Sequence, residues 1–304
     1  MDWLFRPMAE SALSGWEQLL GDGVFLIALA FLVFELIRYA VKKRFSRSLA
    51  ADTVTNFVTL AFYIGLGFLI YGAFYVSSFV FLHQFALFDI GISWATVILC
   101  VVLADLAYYW EHRFLHRVGL GWATHTVHHS SPHFNISVAY RFGPMDDLWP
   151  ILFHIPLVLM GFNPFVVFFA AMLVQIYQTA LHTEVVGKLP GFIEAVMNTP
   201  SHHRVHHGSN DKYIDRNYAG VFIVWDRMFG TFAEEDETVV YGITRPVDSV
   251  NPFVVFFHGL GRLWREVRSA PGIGNKLAIL IKPPGWAAEA RGIRSTAHSE
   301  GGAA

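Results

Sequence analysis

Residues 90–129 read IGISWATVILCVVLADLAYYWEHRFLHRVGLGWATHTVHH. The first half, Ile90 to Trp110, is an almost unbroken apolar run of about twenty residues, the length a helix needs to cross the ~30 Å hydrocarbon layer of a bilayer. The second half turns at once to histidine. His112 and His116 are four residues apart, and His125, His128 and His129 repeat the i, i+3, i+4 spacing. Residues at these separations share one helix face with Cβ atoms ~5–6 Å apart. A membrane helix that runs directly into imidazoles on one face predicts an all-α integral membrane protein with a polar site at its edge.

Reading outward from this stretch supports that class. Val24–Val41 is a second apolar run, followed by Lys42, Lys43, Arg44 and Arg47, which the positive-inside rule places in the cytoplasm. A run over Val54–Phe81 is expected to cross back, so that residue 111 emerges on the cytoplasmic face. Leu148–Leu181 is apolar and broken by Gly161-Phe-Asn-Pro164, which reads as a helical hairpin that enters the bilayer and returns. The expected architecture is four to five membrane helices with a cytoplasmic histidine-rich helical cap. The expected division is an interfacial amphipathic segment over 1–20, membrane helices over 21–110, a catalytic region over 111–235 that includes the hairpin 148–181, a C-terminal amphipathic cap segment over 236–290 and a disordered tail over 291–304. No secretory leader is expected at Met1–Arg6.

The composition agrees. Of 304 residues, 54% are hydrophobic and only 15% charged, against roughly 25% charged in a soluble domain. Net charge is −2, which gives no basic field to hold nucleic acid. The one cysteine, Cys100, excludes an internal disulfide and a thiolate zinc site.

Twelve of the fifteen histidines lie between residues 112 and 207. Besides the first two clusters there are His182 and the run His202-His203-Arg-Val-His206-His207. Imidazole suits Fe, Zn, Cu and Ni, and serves Mg or Ca poorly. Nine well-spaced imidazoles are too many for one ion and about right for two. The predicted ligands are His112, His116, His125, His128, His129, His182, His203, His206 and His207, with His203 preferred to His202 because it keeps the HxxHH spacing. A metal-bound imidazole usually passes its other N–H to a carboxylate or carbonyl. Asp105, a heptad before His112, is the first candidate for that role; Gln178, Glu184, Asn217, Asp226 and His202 follow. For Asp226 a salt bridge to Arg227 or a helix cap is the competing reading. Trp225, Phe229 and Phe232 read as packing. His83, His154, His258 and His298 read as surface residues, and His133 as either surface or support for the site.

The HxxxH, HxxHH and second HxxHH patterns resemble the fatty acid hydroxylase/sterol desaturase superfamily, and within it the alkylglycerol monooxygenases. The resemblance runs over about residues 100–290. It is carried by Trp122-Ala-Thr-His-Thr-Val-His-His129, Leu181-His-Thr-Glu184, Asn198-Thr-Pro-Ser-His-His-Arg-Val-His-His-Gly208, Asn217-Tyr-Ala-Gly220 and Trp225-Asp-Arg-Met-Phe-Gly230. Arg117 departs from it, since an acidic residue is expected after the first box. The resemblance implies two iron ions, O₂ and hydroxylation of a lipid drawn from the bilayer. For an ether lipid, hydroxylation beside the ether oxygen gives a hemiacetal that collapses to an aldehyde and glycerol. It also implies an external reductant, either tetrahydrobiopterin or a cytochrome or ferredoxin donor. Phe142, Phe165, Phe168, Phe169 and Tyr177 are candidates to line the lipid's path. A metal transporter is the non-enzyme alternative, but transport sites lie near the bilayer midplane, whereas these clusters begin where the apolar runs end. A zinc metalloprotease is disfavoured because HExxH is missing from the sequence.

Overall fold

Inside hydrocarbon every backbone polar group must find its partner within the chain, so long apolar runs become helices. The computed structural model describes residues 2–67 and 72–286. After a 3-10 turn at Asp2–Phe5 come α1 (Glu10–Val41), α2 (Arg47–Leu66), α3 (Gly72–His83), α4 (Trp94–Arg117), α5 (Gly119–His129), α6 (Leu148–Met160) and α7 (Pro164–Thr179). The C-terminal part carries the short α8 (Gly191–Glu194), α9 (Pro200–His206) and α10 (Val224–Phe229), then α11 (Pro252–Ser269) and α12 (Gly272–Ile281). Among the described residues there is no strand, only the isolated bridges Ile90–Phe162 and Gly208–Tyr241.

Helix starts follow local chemistry. Ser93 and Thr96 form a reciprocal capping box on α4. α7, α9 and α11 each begin with a polar cap followed by proline: Asn163-Pro164, Thr199-Pro200 and Asn251-Pro252. The side-chain oxygen satisfies an orphan N–H, while the proline needs none. α6 ends at Gly161, whose φ of +111° a side chain would resist. A Cβ there would also lie 2.0 Å from the Phe88 carbonyl oxygen. The hairpin of α6 and α7 therefore matches the expected one.

α1, α2 and α4 are long and apolar enough to cross a membrane, and α6, α7 and α12 are shorter apolar helices. The chain is a multi-pass membrane protein. Two expected boundaries are redrawn. Residues 10–41 form one unbroken helix, so nothing divides the chain at residue 20, and Leu13 is buried in the core. The expected crossing over 54–81 begins earlier, at Arg47, and its described parts are α2 and α3, on either side of residues 68–71, which lie outside the described residues. The tail expected over 291–304 lies outside the described residues, as does His298.

α4 is the central post, packed against α5, α6 and α7, while α11 packs on α5 and α2. Buried charges join these layers. Arg141 donates to Asp52 Oδ1 at 2.9 Å and Asn56 Oδ1 at 2.7 Å from one nitrogen, and to the Val127 carbonyl at 2.9 Å from another. It thereby clamps α2 to α5. Glu35, on α1, accepts from the Ile136 amide at 2.8 Å and the Thr183 hydroxyl at 2.6 Å.

Candidate metal centre

Four elements converge on one end of this bundle. His112, His116, His125, His129 and His206 form one group, and His128, His182, His203 and His207 a second. Within each group the ring nitrogens lie within 4.8 Å of one another, and every residue is buried apart from the half-buried His128. These are the nine histidines expected from the sequence as ligands.

The geometry explains the HxxHH pattern. On α5, His125 and His129 face the first group while His128 faces the second. At α9 the roles reverse: His203 and His207 face the second group, and His206 crosses to the first. The i, i+4 pair shares one centre and the i+3 residue reaches the neighbouring one. Two short helices thus bridge both centres.

The donor set fits cations. His112, His128, His182 and His206 each donate an Nδ1–H to a main-chain carbonyl, of Tyr218 (2.8 Å), Arg141 (3.2 Å), Gln178 (2.9 Å) and Arg216 (3.0 Å). A carbonyl only accepts, so in these rings Nε2 is left as a bare lone pair. Nε2 of His128 and Nε2 of His182 face each other at 3.2 Å. Two facing lone pairs repel unless a cation lies between them. Among the described residues, His116 Nε2 and His207 Nε2 are buried with no hydrogen-bond partner, which is costly for a polar atom without a ligand. Burial, then repulsion from neighbouring rings, pushes His125, His129, His206 and His207 well below the ordinary histidine pKa. Burial likewise lowers His182, to about 4. Neutral imidazoles are the form that binds metal.

The residues expected to support the rings are placed differently. Asp105 does not touch His112; its carboxylate accepts from the amides of Val221 (2.7 Å) and Phe222 (2.9 Å) and from the Trp225 indole (2.8 Å). Gly220 makes this approach possible, since a Cβ there would come within 2.6 Å of Asp105 Oδ1. Asp226 neither caps a helix nor pairs with Arg227. It accepts from the amides of Tyr218 and Ala219 at 2.8 Å and the Thr231 hydroxyl at 2.6 Å. The two aspartates hold the Tyr218–Phe222 loop from both sides, and that loop presents the carbonyl that orients His112. Gln178 acts on His182 through its main-chain carbonyl, while its side-chain amide donates to Gln175 and the Val174 carbonyl. Glu184 accepts from the Tyr39 hydroxyl at 3.0 Å. Asn217, at φ +55°, bridges the His202 and Ala233 carbonyls. His202 turns away from the centre to Glu194, 3.1 Å distant. Phe229 stacks on Tyr109, and Phe232 faces His202 and the Arg227 guanidinium, as packing residues do.

Among the described residues, the one carboxylate that reaches a ring of the groups was not anticipated. Asp215 sits 3.6 Å from His116 Nδ1 and 2.6 Å from Arg117. Burial alone would raise the Asp215 carboxyl, but His116 and Arg117 outweigh it and hold it below the ordinary range. Its signal was the charge of Arg117, which needs an acidic partner so close to the centre. His154, expected at the surface, is 2% exposed. His133 lies outside both groups, 3.1 Å from Ser48.

A cavity of about 970 Å³ begins at His125, His128 and His182 and runs between α1, α2, α4, α6 and α7. Phe142, Phe165 and Phe168, three of the candidates for the lipid's path, line it. Phe169 is instead part of the packed core, and the Tyr177 hydroxyl donates to the Asn198 carbonyl. Phe25, Ile64 and Phe165 line the cavity and are also exposed on the outer apolar surface.

The chain is similar to several known proteins. The chain is 45% identical over 182 residues to human alkylglycerol monooxygenase, a match covering 60% of this chain and 40% of that protein. It is 32% identical over 137 residues to an ornithine lipid hydroxylase of Rhizobium tropici, covering 45% of this chain and 41% of that protein. With human lathosterol oxidase the figures are 27% over 149 residues, 49% of this chain and 47% of that protein. The chain therefore spans less than half the length of each of these relatives. No solved structure matches. Residues 97–231, which hold all nine clustered histidines, match the family model described as fatty acid hydroxylase.

Proposed function

We propose that this chain is a membrane-bound di-iron monooxygenase that hydroxylates a C–H bond of a lipid, with the carbon beside the ether oxygen of an alkylglycerol as its target. The observation that carries the reading is two groups of buried imidazoles, three of which line one cavity between apolar helices. His112, His116, His125, His129 and His206 would hold one iron, and His128, His182, His203 and His207 the other. Iron bound there would activate O₂ for insertion into an unactivated C–H bond. The protein supplies the rest. Main-chain carbonyls fix the ring tautomers, apolar walls exclude water, and the cavity aligns an acyl or alkyl chain so that one carbon meets the centre.

The cytoplasmic side is the proposed location of the site. Tyr39, just before the basic link Lys42–Arg47, bonds Glu184 beside His182, so the basic end of α1 and the histidines share one side. The lipid enters laterally past Phe25, Ile64 and Phe165. The proposed working division is a membrane base over 21–110, a catalytic region over 111–235 and a cap over 236–290. Reducing equivalents come from outside the chain. Likeness to alkylglycerol monooxygenase favours tetrahydrobiopterin, and the wider family a cytochrome or ferredoxin.

The test is anaerobic loading of the purified protein with Fe(II), followed by metal analysis and O₂ uptake with 1-O-alkylglycerol and tetrahydropterin. Two irons per chain and lipid-dependent release of a fatty aldehyde are expected. Two tightly held zinc ions with no lipid-dependent O₂ uptake would sink the oxygenase reading. Lipid analysis of cells carrying the His128→Ala, His129→Ala double variant gives the substrate. Accumulated alkylglycerols support ether cleavage, and a changed sterol or acyl-hydroxyl pool replaces it.

A further inference from the structure

The cavity has a second chemical feature that the metal centre does not use. Glu111 and Asp146 line its wall, together with Asp147 and His154. Glu111 is 4% exposed and His154 2% exposed, and their nearest approach is 4.0 Å, from Glu111 Oε2 to His154 Nδ1. Among the described residues, three atoms here have no hydrogen-bond partner: Glu111 Oε2, Asp146 Oδ1 and His154 Nε2. Each needs a donor. His154 Nδ1 donates to the Pro150 carbonyl at 2.8 Å, so its proton is on Nδ1 and Nε2 is an acceptor. The other oxygen of Asp146 already takes the Gly143 amide at 2.6 Å, and Asp147 is taken by the Tyr63 hydroxyl.

Among the described residues, no lysine or arginine lines this cavity, whereas Glu17, Glu111, Asp146 and Asp147 all do. A wall of acidic groups and a bare imidazole nitrogen with no cation offers a phosphate or carboxylate no partner for its charge, and favours an uncharged hydroxyl or an amine as the complementary ligand chemistry. Buried polar groups left unpaired are also what makes a site reject an analogue that lacks the matching donor.

We propose that Glu111, Asp146 and His154 form a subsite for the polar end of the lipid substrate, and that it selects a group carrying O–H or N–H donors and no negative charge. The subsite rests on the proposed reading of the cavity as a lipid path. It narrows the substrate class to neutral hydroxylated or ammonium-bearing lipids, against phosphorylated ones of the same chain.

The test is competition for the cavity in lipid nanodiscs, with displacement of a fluorescent alkyl probe corrected for partition into empty discs. The competitors share one chain length: 1-O-dodecylglycerol, dodecylammonium and dodecyl phosphate. The glycerol ether or the ammonium is expected to compete on the order of tenfold or more better than the phosphate. A tighter ammonium assigns the subsite to a cation and a tighter glycerol ether to hydroxyls; either supports it. Glu111→Gln and Asp146→Asn should each narrow the gap to the phosphate. Phosphate competing equally well with wild-type protein overturns the proposal. So does a gap unchanged in both variants when they fold. If a variant does not fold, the wild-type series decides alone. Binding and turnover fail separately. Discrimination without ether-lipid oxidation keeps the subsite and removes the proposed reaction, and oxidation without discrimination does the reverse.

Discussion

Removing the Asp105 carboxylate separates two ideas about what that residue does. Its position a heptad before His112 suggests that it supports the ring, yet its three bonds all run to the Val221–Trp225 segment. In Asp105→Ala two amides and an indole N–H lose their partner in a site where Asp105 is 0% exposed. At ~1–3 kcal/mol for each unsatisfied buried donor, and allowing for partial relaxation, the loss is about 3 kcal/mol or more. At roughly 2 °C per kcal/mol for a chain of this size, the apparent melting temperature in detergent should fall by about 6 °C or more. Asp105→Asn keeps the shape and one acceptor, but turns an NH₂ toward a donor, and should fall about halfway. Asp215→Asn is the contrast. Asp215 touches His116 and lies at the edge of the cap, so this change should leave melting of the metal-free protein nearly intact and weaken metal retention about 10–100-fold. The assay is melting of metal-free and loaded protein beside metal retention against a graded chelator. If Asp105→Ala melts like the parent and loses metal first, the loop-anchor reasoning is wrong.

Four further outcomes are expected. His203→Ala should lower bound metal toward one ion per chain while His202→Ala keeps two, measured by elemental analysis, because only His203 faces the group. Gly161→Ala forces a methyl to within 2.0 Å of the Phe88 carbonyl oxygen at φ +111°, and should cost at least ~1–3 kcal/mol, read as lost folded protein on extraction. Arg141→Met leaves Asp52 buried without its cation; a loss of about 3–5 kcal/mol is expected in thermal melts. Metal-free protein should lose stability on acidification. Its His125, His128, His129, His182, His203, His206 and His207 rings are held below the ordinary value, so the unfolded chain takes up protons first as pH falls through about 6.5. Stability is full above that pH and declines toward the folded values, about 4 for His182, read as melting temperature between pH 7.5 and 5.

The legible part of this protein was periodic. Apolar runs of membrane length and imidazoles at i, i+3 and i+4 are local properties, and they foretold the helices, the hairpin and the nine clustered rings. What was not legible depends on where loops return. Asp105 and Asp226 were both singled out as acidic residues near the site, but their partners are backbone amides of the Tyr218–Phe222 loop. Amides carry no residue signature. Asp215 is 98 residues from Arg117 in the chain, and the pairing exists only because that loop folds under α4. His154 has the sequence context of a lipid-facing residue, and its burial follows from the facing α4.

The split of each HxxHH between two centres has a consequence for assembly. α4 and α5 are joined by the single residue Val118 and pack on each other, so they can bring His112, His116, His125 and His129 together early. That set is four of the five rings of the first group. The second group is different, because His128, His182 and the α9 pair come from three separate places along the chain. Only closure of the 198–222 region over the membrane helices completes it. Metal affinity gained on closure is folding free energy for the cap. A chain loaded with metal should therefore protect the α9 and Asn217–Gly220 amides from hydrogen exchange far more than those of α4. Equal protection of both regions in the metal-free protein would show that the cap closes on its own, with Asp105 and Asp226 sufficient to hold it.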